Sequence, residues 1–202
     1  MTVQLPPSME QRDAQARGIV KNTMVAGGIG GLALILATSL IARYEGLVQK
    51  PYRDPVGILT VCYGHTGKDI EQRRYSKAEC TAMLQKDIQR HVPKCLTVPL
   101  TEMQQAAFVS LAYNIGVGAF CKSPAFKAAQ SGDMATACKK IELHRKAGGK
   151  VLPGLVKRRA FERALCEGDS SKAADLIMNS GDVFPAADIS AEEAIDILED
   201  AK

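Results

Sequence analysis

An unbroken run of uncharged side chains over residues 22–42 restricts what this chain can form more than any other feature of its sequence. A helix of that length rises about 30 Å, which matches the hydrocarbon core of a bilayer. Glycine and alanine are frequent in the run, so its hydrophobicity is low for a permanent anchor. We interpret residues 22–42 as a weakly hydrophobic helix that can enter a membrane and later leave it.

The sequence also allows three other interpretations of residues 22–42. A cleaved signal peptide would explain the basic residues before the run, although its apolar part normally spans only about 7–15 residues. A permanent transmembrane anchor would use the whole run, and a buried glycine-rich helix of a globular protein would need no membrane. Residues 1–21 are polar and are expected to form a short cytoplasmic tail.

The charge of the chain is distributed unevenly. Residues 169–202 hold nine acidic and two basic side chains, a net charge of −7, whereas residues 1–168 hold 24 basic and 13 acidic ones, a net charge of +11. A basic body favours a polyanionic partner such as nucleic acid, anionic lipid or the bacterial cell wall. Nucleic acid is the least favoured, because the chain has no tryptophan and no recognisable nucleic-acid motif. Residues 169–202 are predicted to form one or two short helices, either docked loosely on the basic body or solvated.

The six cysteines are an even number and include no C-x-x-C pair. A zinc site needs close pairs of soft ligands, so we predict neither a metal nor a cofactor. Disulfides are the better explanation if the protein reaches an oxidising compartment, and the sequence does not distinguish between the possible pairings.

Local signals predict a helical body that contains one small β-hairpin. The hairpin is expected over residues 52–66, where a β-rich run lies between turn residues. Everything after it is expected to be helical. Helix starts are indicated by capping boxes, N-cap residues or an N-terminal proline at Ser76, Thr101, Ser123, Asp133 and Pro153.

Candidate chemistry follows the uncharged run directly, at Glu45, Asp54 and Thr60. Glu45 lies at the end of the first predicted helix, and the hairpin that carries the other two residues can fold back beside it. Hydrolysis of a glycosidic bond needs an acid to protonate the leaving oxygen and a second polar group to act on water. A glutamate between Tyr44 and Leu47 is expected to be partly desolvated and protonated, whereas Asp54 is expected to ionise readily. Two acids at this spacing are also common by chance, so ordinary surface acids remain an alternative.

Three blocks of sequence, in the same order, resemble the phage-type lysozymes, which are the endolysins of glycoside hydrolase family 24. The first block is Glu45, Asp54 and Thr60 followed by the YGHTG run, the second covers residues 112–123, and the third covers residues 147–159. The resemblance spans roughly residues 44–167. It implies an α+β, mostly α fold, in which a lysozyme-like helical domain carries one small β-hairpin beside the catalytic cleft.

The resemblance also implies an activity. The protein is expected to be a muramidase that hydrolyses the β-1,4 bond between N-acetylmuramic acid and N-acetylglucosamine in peptidoglycan, with inversion. Glu45 would be the general acid, and Asp54 and Thr60 would position or activate a water molecule. Asn114 and His65 are weaker candidates for substrate binding. A structural turn histidine is the simpler interpretation of His65, and a helix-ending asparagine is an equal alternative for Asn114.

Two features near the third block need separate interpretation. Arg158 and Arg159 are candidates to pair with Glu45, although solvated arginines on a basic helix are the simpler interpretation. His144 stands three residues before Ala147, where relatives often carry a tryptophan. We expect this departure to alter local packing and sugar contacts without affecting the three catalytic candidates.

Some endolysins of this family carry a signal-anchor-release helix, and residues 22–42 resemble one. Such a helix tethers the inactive enzyme to the inner membrane until depolarisation frees it into the periplasm. No cysteine precedes Cys62, so activation by disulfide exchange within the anchor is excluded, and refolding of residues 22–45 is expected instead. The active form is expected to be a monomer.

The predicted organisation is a tail (1–21), an anchor (22–42), a catalytic domain (43–168) and an acidic extension (169–202). The alternatives are a lytic transglycosylase and a non-catalytic peptidoglycan-binding protein.

Overall fold

The structure is a computed structural model that describes residues 29–179. The predicted tail, the start of the uncharged run and the extension from residue 180 onward, including its predicted capping box at Ser190, lie outside the described residues. Within that range the elements in chain order are α1 (Gly31–Glu45), β1 (Val48–Arg53), β2 (Leu59–Cys62), β3 (His65–Thr66), α2 (Lys77–His91), α3 (Glu102–Ile115), α4 (Val117–Cys121), α5 (Pro124–Gln130), α6 (Met134–Lys140), a 3-10 turn (Ile141–Leu143), β4 (Lys146–Ala147), β5 (Lys150–Val151), α7 (Pro153–Cys166) and α8 (Ser170–Met178).

Helix α1 lies at the centre of the hydrophobic core. It contains the described part of the uncharged run, and its side chains at Leu36, Ala37, Leu40 and Ile41 are completely buried. It packs against α2, α3 and α8, while α3 also packs against α7. Burial of one leucine side chain contributes about 1.5–3 kcal/mol, so α1 is a major source of the stability of the fold.

None of the helices within residues 29–179 combines the length and the apolarity needed to cross a membrane.

Helix α3 supplies the N-terminal cap of α1. The first backbone N–H groups of a helix have no partner within the helix, and Gly30 has no side chain to provide one. Instead, Ala33 N donates to Glu102 Oε2 at 2.7 Å, and Gly30 N donates to Gln105 Oε1 at 3.0 Å. A Cβ atom on Gly30 would lie only 2.8 Å from Glu102 Oε1, so glycine permits this close approach.

The predicted helix starts are confirmed. Ser76 and Thr101 each form a capping box in which the side chain accepts from the backbone N–H three residues later and receives a bond in return. Ser123 and Asp133 cap α5 and α6 through their side chains, and Pro153 occupies the first turn of α7. Because these contacts are made between neighbours in sequence, they can be predicted without knowledge of the tertiary structure.

The β-structure is more extensive than the single hairpin that the sequence predicts. The predicted hairpin forms from β1 and β2, but β1 begins at Val48 and β3 adds a third antiparallel strand. The expectation that everything later is helical is wrong at β4 and β5, which form a second hairpin. Gly148 and Gly149 join these strands with φ of 56° and 77°, and two adjacent residues of positive φ suit the twist of a two-residue hairpin turn.

All six cysteines are paired in disulfides, which connect residues far apart in sequence. Cys62 to Cys80 joins β2 to α2, Cys95 to Cys121 joins the loop before α3 to α4, and Cys138 to Cys166 joins α6 to the end of α7. Cross-links over loops of this size stabilise a fold by roughly 3 kcal/mol each in the loop-entropy model.

The first part of the acidic extension docks on the body. Helix α8 is capped by Asp169 and buries Ala173, Leu176 and Ile177. It packs against α1 and α7, and Arg43 of α1 forms a 2.6 Å ion pair with Asp175. The extension was expected either to dock on the basic body or to be solvated, and its first helix, α8, is docked.

Candidate active site

Glu45 is the last residue of α1, and its carboxylate is held by an arginine. Gly46 ends the helix with φ of 75°, which turns the chain toward β1. Arg158 Nη1 donates to Glu45 Oε1 at 2.7 Å, with side-chain exposures of 3% for Arg158 and 27% for Glu45. Of the two candidate arginines, Arg158 therefore pairs with Glu45, and the carboxylate is partly buried beside a guanidinium.

The two arginines of α7 are buried, so their interpretation as solvated side chains is wrong. Both are bonded to Glu162, which is completely buried. Arg158 Nε donates to Glu162 Oε1 at 3.1 Å, and Arg159 Nη1 donates to Glu162 Oε2. Ser110 Oγ of α3 donates to Glu162 Oε1 at 2.7 Å. The spacing of the three charged residues on one helix, i to i+3 and i to i+4, is the sequence signal that could have indicated Glu162.

Asp54 lies at the turn between β1 and β2. Its Oδ1 atom accepts backbone N–H bonds from Val56 at 3.0 Å and Ile58 at 2.8 Å, and its own N–H donates to the Ile58 carbonyl at 2.9 Å. Such side-chain bonds to nearby backbone groups are typical of aspartate in turns. Within the described part of the chain, Oδ2 of Asp54 makes no hydrogen bond, so this oxygen remains available for a ligand.

Thr60 is buried on β2, opposite Tyr52 of β1 in the strand register. Its Oγ1 atom donates to the Ile58 carbonyl at 3.1 Å, which leaves the lone pairs of the hydroxyl to accept a further bond. The hairpin therefore places Thr60 beside the turn that holds Asp54. Glu45 adjoins this hairpin in sequence, because it ends α1 three residues before β1 begins at Val48.

His65 lies on β3 between two carboxylates. Its Nδ1 is 2.7 Å from Asp87 Oδ2 of α2, and its Nε2 is 3.2 Å from Asp69 Oδ1. Burial alone would lower the pKa of His65, but the hydrogen bonds and charges of Asp87 and Asp69 outweigh burial and raise it. With both ring nitrogens engaged and 6% of the residue exposed, this geometry favours the structural interpretation of His65.

Asn114 lies near the end of α3, exposed, and its Oδ1 accepts a hydrogen bond from Arg159 Nη2. Arg159 Nε also donates to the His144 carbonyl at 2.9 Å. His144 is partly buried, and its Nε2 atom has no hydrogen-bond partner among residues 29–179. Burial, together with the charge of Arg159, lowers the pKa of His144 and keeps the ring neutral.

Two tyrosines border Glu45. The Arg158 guanidinium lies 5.7 Å from the ring centroid of Tyr44, and Tyr113 Oη donates to the Tyr63 carbonyl at 3.3 Å. Burial, with the negative charges of Asp87 and Glu45, raises the pKa of Tyr113, so its hydroxyl stays protonated.

The mostly helical α+β body with a small antiparallel sheet after α1 has a lysozyme-like fold, and the protein is a lysozyme-type glycoside hydrolase. The particular family follows from comparison with known proteins: the chain belongs to the phage lysozyme family, whose family model matches residues 42–162.

Individual relatives agree with this family. The chain is 41% identical over 152 residues to the SAR-endolysin of Enterobacteria phage P21, covering 70% of this chain and 92% of the relative. Among solved structures, the muramidase domain of SpmX from Asticaccaulis excentricus is similar with a TM-score of 0.59 and 31% identity, covering 64% of this chain and 93% of that domain. A P22 lysozyme is similar with a TM-score of 0.58 and 28% identity, covering 65% of this chain and 94% of that protein.

Proposed function

We propose that this protein is a phage endolysin that lyses its host by hydrolysing the β-1,4 bond between N-acetylmuramic acid and N-acetylglucosamine in peptidoglycan. Membership of the phage lysozyme family supports the reaction class. The observation that carries the assignment to this chain is the position of Glu45, which a buried arginine holds at the end of α1, directly before the hairpin of Asp54 and Thr60.

In the proposed mechanism Glu45 is the general acid. It transfers a proton to the glycosidic oxygen as the bond from that oxygen to the anomeric carbon breaks. Arg158 fixes the direction in which the carboxyl group points. Bound glycan would cover the exposed part of Glu45 and exclude water, and a desolvated carboxyl group favours the protonated form that an acid needs.

Asp54 and Thr60 act on the opposite side of the sugar in this mechanism. Two backbone N–H groups hold Oδ1 of Asp54, so Oδ2 is the atom that would accept the proton of the attacking water. The water oxygen forms a new bond to the anomeric carbon, and Thr60 Oγ1 would accept the second water proton in a hydrogen bond. This attack opposite the leaving group gives inversion. No cofactor is required, and peptidoglycan is the polyanionic partner of the basic body.

We further propose that residues 22–42 anchor the inactive protein in the inner membrane before release into the periplasm. The SAR-endolysin relatives support this route. The packing of α1 supports it as well, because Leu36 and Leu40 cannot lie in lipid and in the protein core at the same time. While the anchor is in the membrane, Glu45 would be separated from Arg158. The division into tail, anchor, catalytic domain and acidic extension, with a monomeric active form, is part of this proposal.

The test compares purified full-length protein with Glu45→Gln for clearing of chloroform-permeabilised Gram-negative cells. Glu71→Gln is the matched control, because Glu71 is an exposed glutamate paired only with its neighbour Arg73 within the described residues. We expect the wild type and the control to clear the cells and Glu45→Gln to lose nearly all activity. Circular dichroism of each protein establishes that it is folded.

Other results would redirect or overturn the proposal. If folded Glu45→Gln still cleared the cells, Glu45 would not be the acid. If neither folded protein cleared them while both bound the cell wall, the protein would be a non-catalytic binder. Mass spectrometry of the products separates the two enzyme classes: a hydrolase leaves a reducing end, and a lytic transglycosylase leaves a 1,6-anhydro sugar.

A further inference from the structure

We infer that Glu162, a residue outside the proposed reaction, is a positioning residue that holds Arg158 in place to orient Glu45. The inference rests on the proposed function, in which Glu45 is the general acid. It concerns a buried acid that never touches the glycan and acts only through the arginine.

The burial of Glu162 requires a compensating interaction. A completely buried carboxylate is costly unless charged or hydrogen-bonding partners surround it. Glu162 meets this condition with one oxygen bonded to Arg158 and Ser110 and the other bonded to Arg159. Its contacts come from its own helix α7 and from α3, so the carboxylate cannot shift without disturbing both elements.

The same carboxylate determines where both arginines point. Arg158 bonds to Glu162 through Nε and to Glu45 through Nη1, so one planar guanidinium links the two carboxylates. Arg159 bonds to Glu162 through Nη1 and to Asn114 through Nη2. Because the guanidinium is rigid and planar, fixing one edge fixes the direction of the other. Glu162 therefore orients the two arginines that hydrogen-bond Glu45 and Asn114 from α7.

Glu162 also sets the charge around Glu45. With Glu162 present, two carboxylates face two guanidiniums. Without it, Arg158 and Arg159 would leave an excess positive charge beside Glu45 and favour its ionised form, which cannot donate a proton. Among the residues that the structure describes, Tyr44 of α1 and His144, which directly follows the 3-10 turn, also interact electrostatically with Glu162. Neither replaces the charge of Glu162, because burial raises the pKa of Tyr44, which disfavours its anion, and a histidine side chain carries no negative charge.

The test uses two substitutions of Glu162 and one control in the full-length protein. Glu162→Gln removes the charge and keeps the size, whereas Glu162→Asp keeps the charge and shortens the side chain. Glu167→Gln is the matched control, since Glu167 is an exposed glutamate of the same region that pairs with Arg163 rather than with Arg158. Rates on soluble peptidoglycan fragments are measured across a range of pH for all variants, beside the wild type and Glu45→Gln.

We expect Glu162→Gln to lower kcat by roughly 10- to 100-fold while KM changes by no more than about twofold, because the acid is misplaced and no group that the proposed mechanism places against the glycan is removed. The alkaline limb of its pH profile should move to lower pH. Glu162→Asp should lower kcat less than Glu162→Gln does, and it should leave the alkaline limb of the pH profile unchanged. Glu167→Gln should match the wild type in every respect.

The possible results distinguish failure of the proposed function from failure of the positioning role of Glu162. An inactive folded wild type would overturn the proposed function. The positioning role alone would be overturned by a different set of results: the wild type is active, Glu45→Gln is inactive, and folded Glu162→Gln has the kcat and pH profile of the wild type. If Glu162→Gln does not fold, Glu162→Asp decides: unchanged kcat in that folded variant contradicts the inference, and reduced kcat with an unmoved alkaline limb supports it.

Discussion

Arg158 Nη1 lies 2.7 Å from Glu45 Oε1, although 113 positions separate the two residues in the sequence. The contact joins the end of α1 to helix α7. The candidate acid is therefore oriented only when α1 occupies the core and α7 is folded against α3. This dependence gives a physical reason why a protein whose α1 residues are held elsewhere would be inactive.

The first prediction concerns the Arg158 guanidinium. Arg158→Lys keeps the charge, but a lysine ammonium cannot bond Glu45, Glu162 and Ser110 in the same planar arrangement. We expect the clearing rate to fall by at least about tenfold and the free energy of unfolding to drop by about 1–3 kcal/mol, because buried acceptors lose partners. Arg163→Lys, in a partly exposed pair on the same helix, is the control. Equal behaviour of the two variants in clearing and denaturation assays would contradict the prediction.

The second prediction concerns the cap that Glu102 provides for α1. Glu102→Gln retains an acceptor oxygen for Ala33 N–H, whereas Glu102→Ala removes it. Both variants lose the charge at the start of α3, so the difference between them isolates the cap. We expect Glu102→Ala to be less stable than Glu102→Gln by about 1–2 kcal/mol in urea denaturation. Indistinguishable midpoints would show that the cap contributes nothing.

The third prediction concerns how the contribution of Glu102 to stability depends on pH. Burial raises the pKa of Glu102, and this effect outweighs the backbone hydrogen bonds from Ala33 and Leu32, which lower it. The folded state therefore holds the proton more tightly than the unfolded state. Stability should consequently decline as pH rises from the ordinary value of 4.5 through the folded pKa. Denaturation across this range should show a weaker decline in Glu102→Gln than in the wild type, and equal slopes would contradict the assignment.

The fourth prediction concerns the ion pair of His65 and Asp87. The raised pKa of His65 means that the pair contributes its full stability below about pH 6.5, the ordinary value, and loses it as pH rises through the folded pKa. Asp87→Asn should cost about 1–3 kcal/mol at acidic pH and less at alkaline pH. Asp69→Asn is the control, because this carboxylate contacts the same ring from an exposed position. An equal loss for Asp87→Asn at both extremes of pH would exclude the charged pair as the cause.

Local features of the fold could be predicted from the sequence because local contacts determine them. The capping boxes at Ser76 and Thr101 use partners three residues away, and both helices begin where predicted. The hairpin at residues 146–151 was also encoded locally, by Gly148 and Gly149, but the helical interpretation of the region concealed it. Glu45, Asp54 and Thr60 emerged as candidates through a resemblance that covers their spacing, and their roles remain predictions.

The sequence by itself therefore determined the family, the helix starts, the first hairpin and the candidate acid, all of which depend on spacing along the chain. Only the tertiary structure decided which cysteines pair, that Arg158 and Arg159 are buried, and that Glu162 lies between them. These relationships join residues brought together by the packing of α1, α3 and α7. A charged side chain on a helix has the same local pattern whether it faces water or a buried partner, and only the packing of the neighbouring helix determines which of the two it meets.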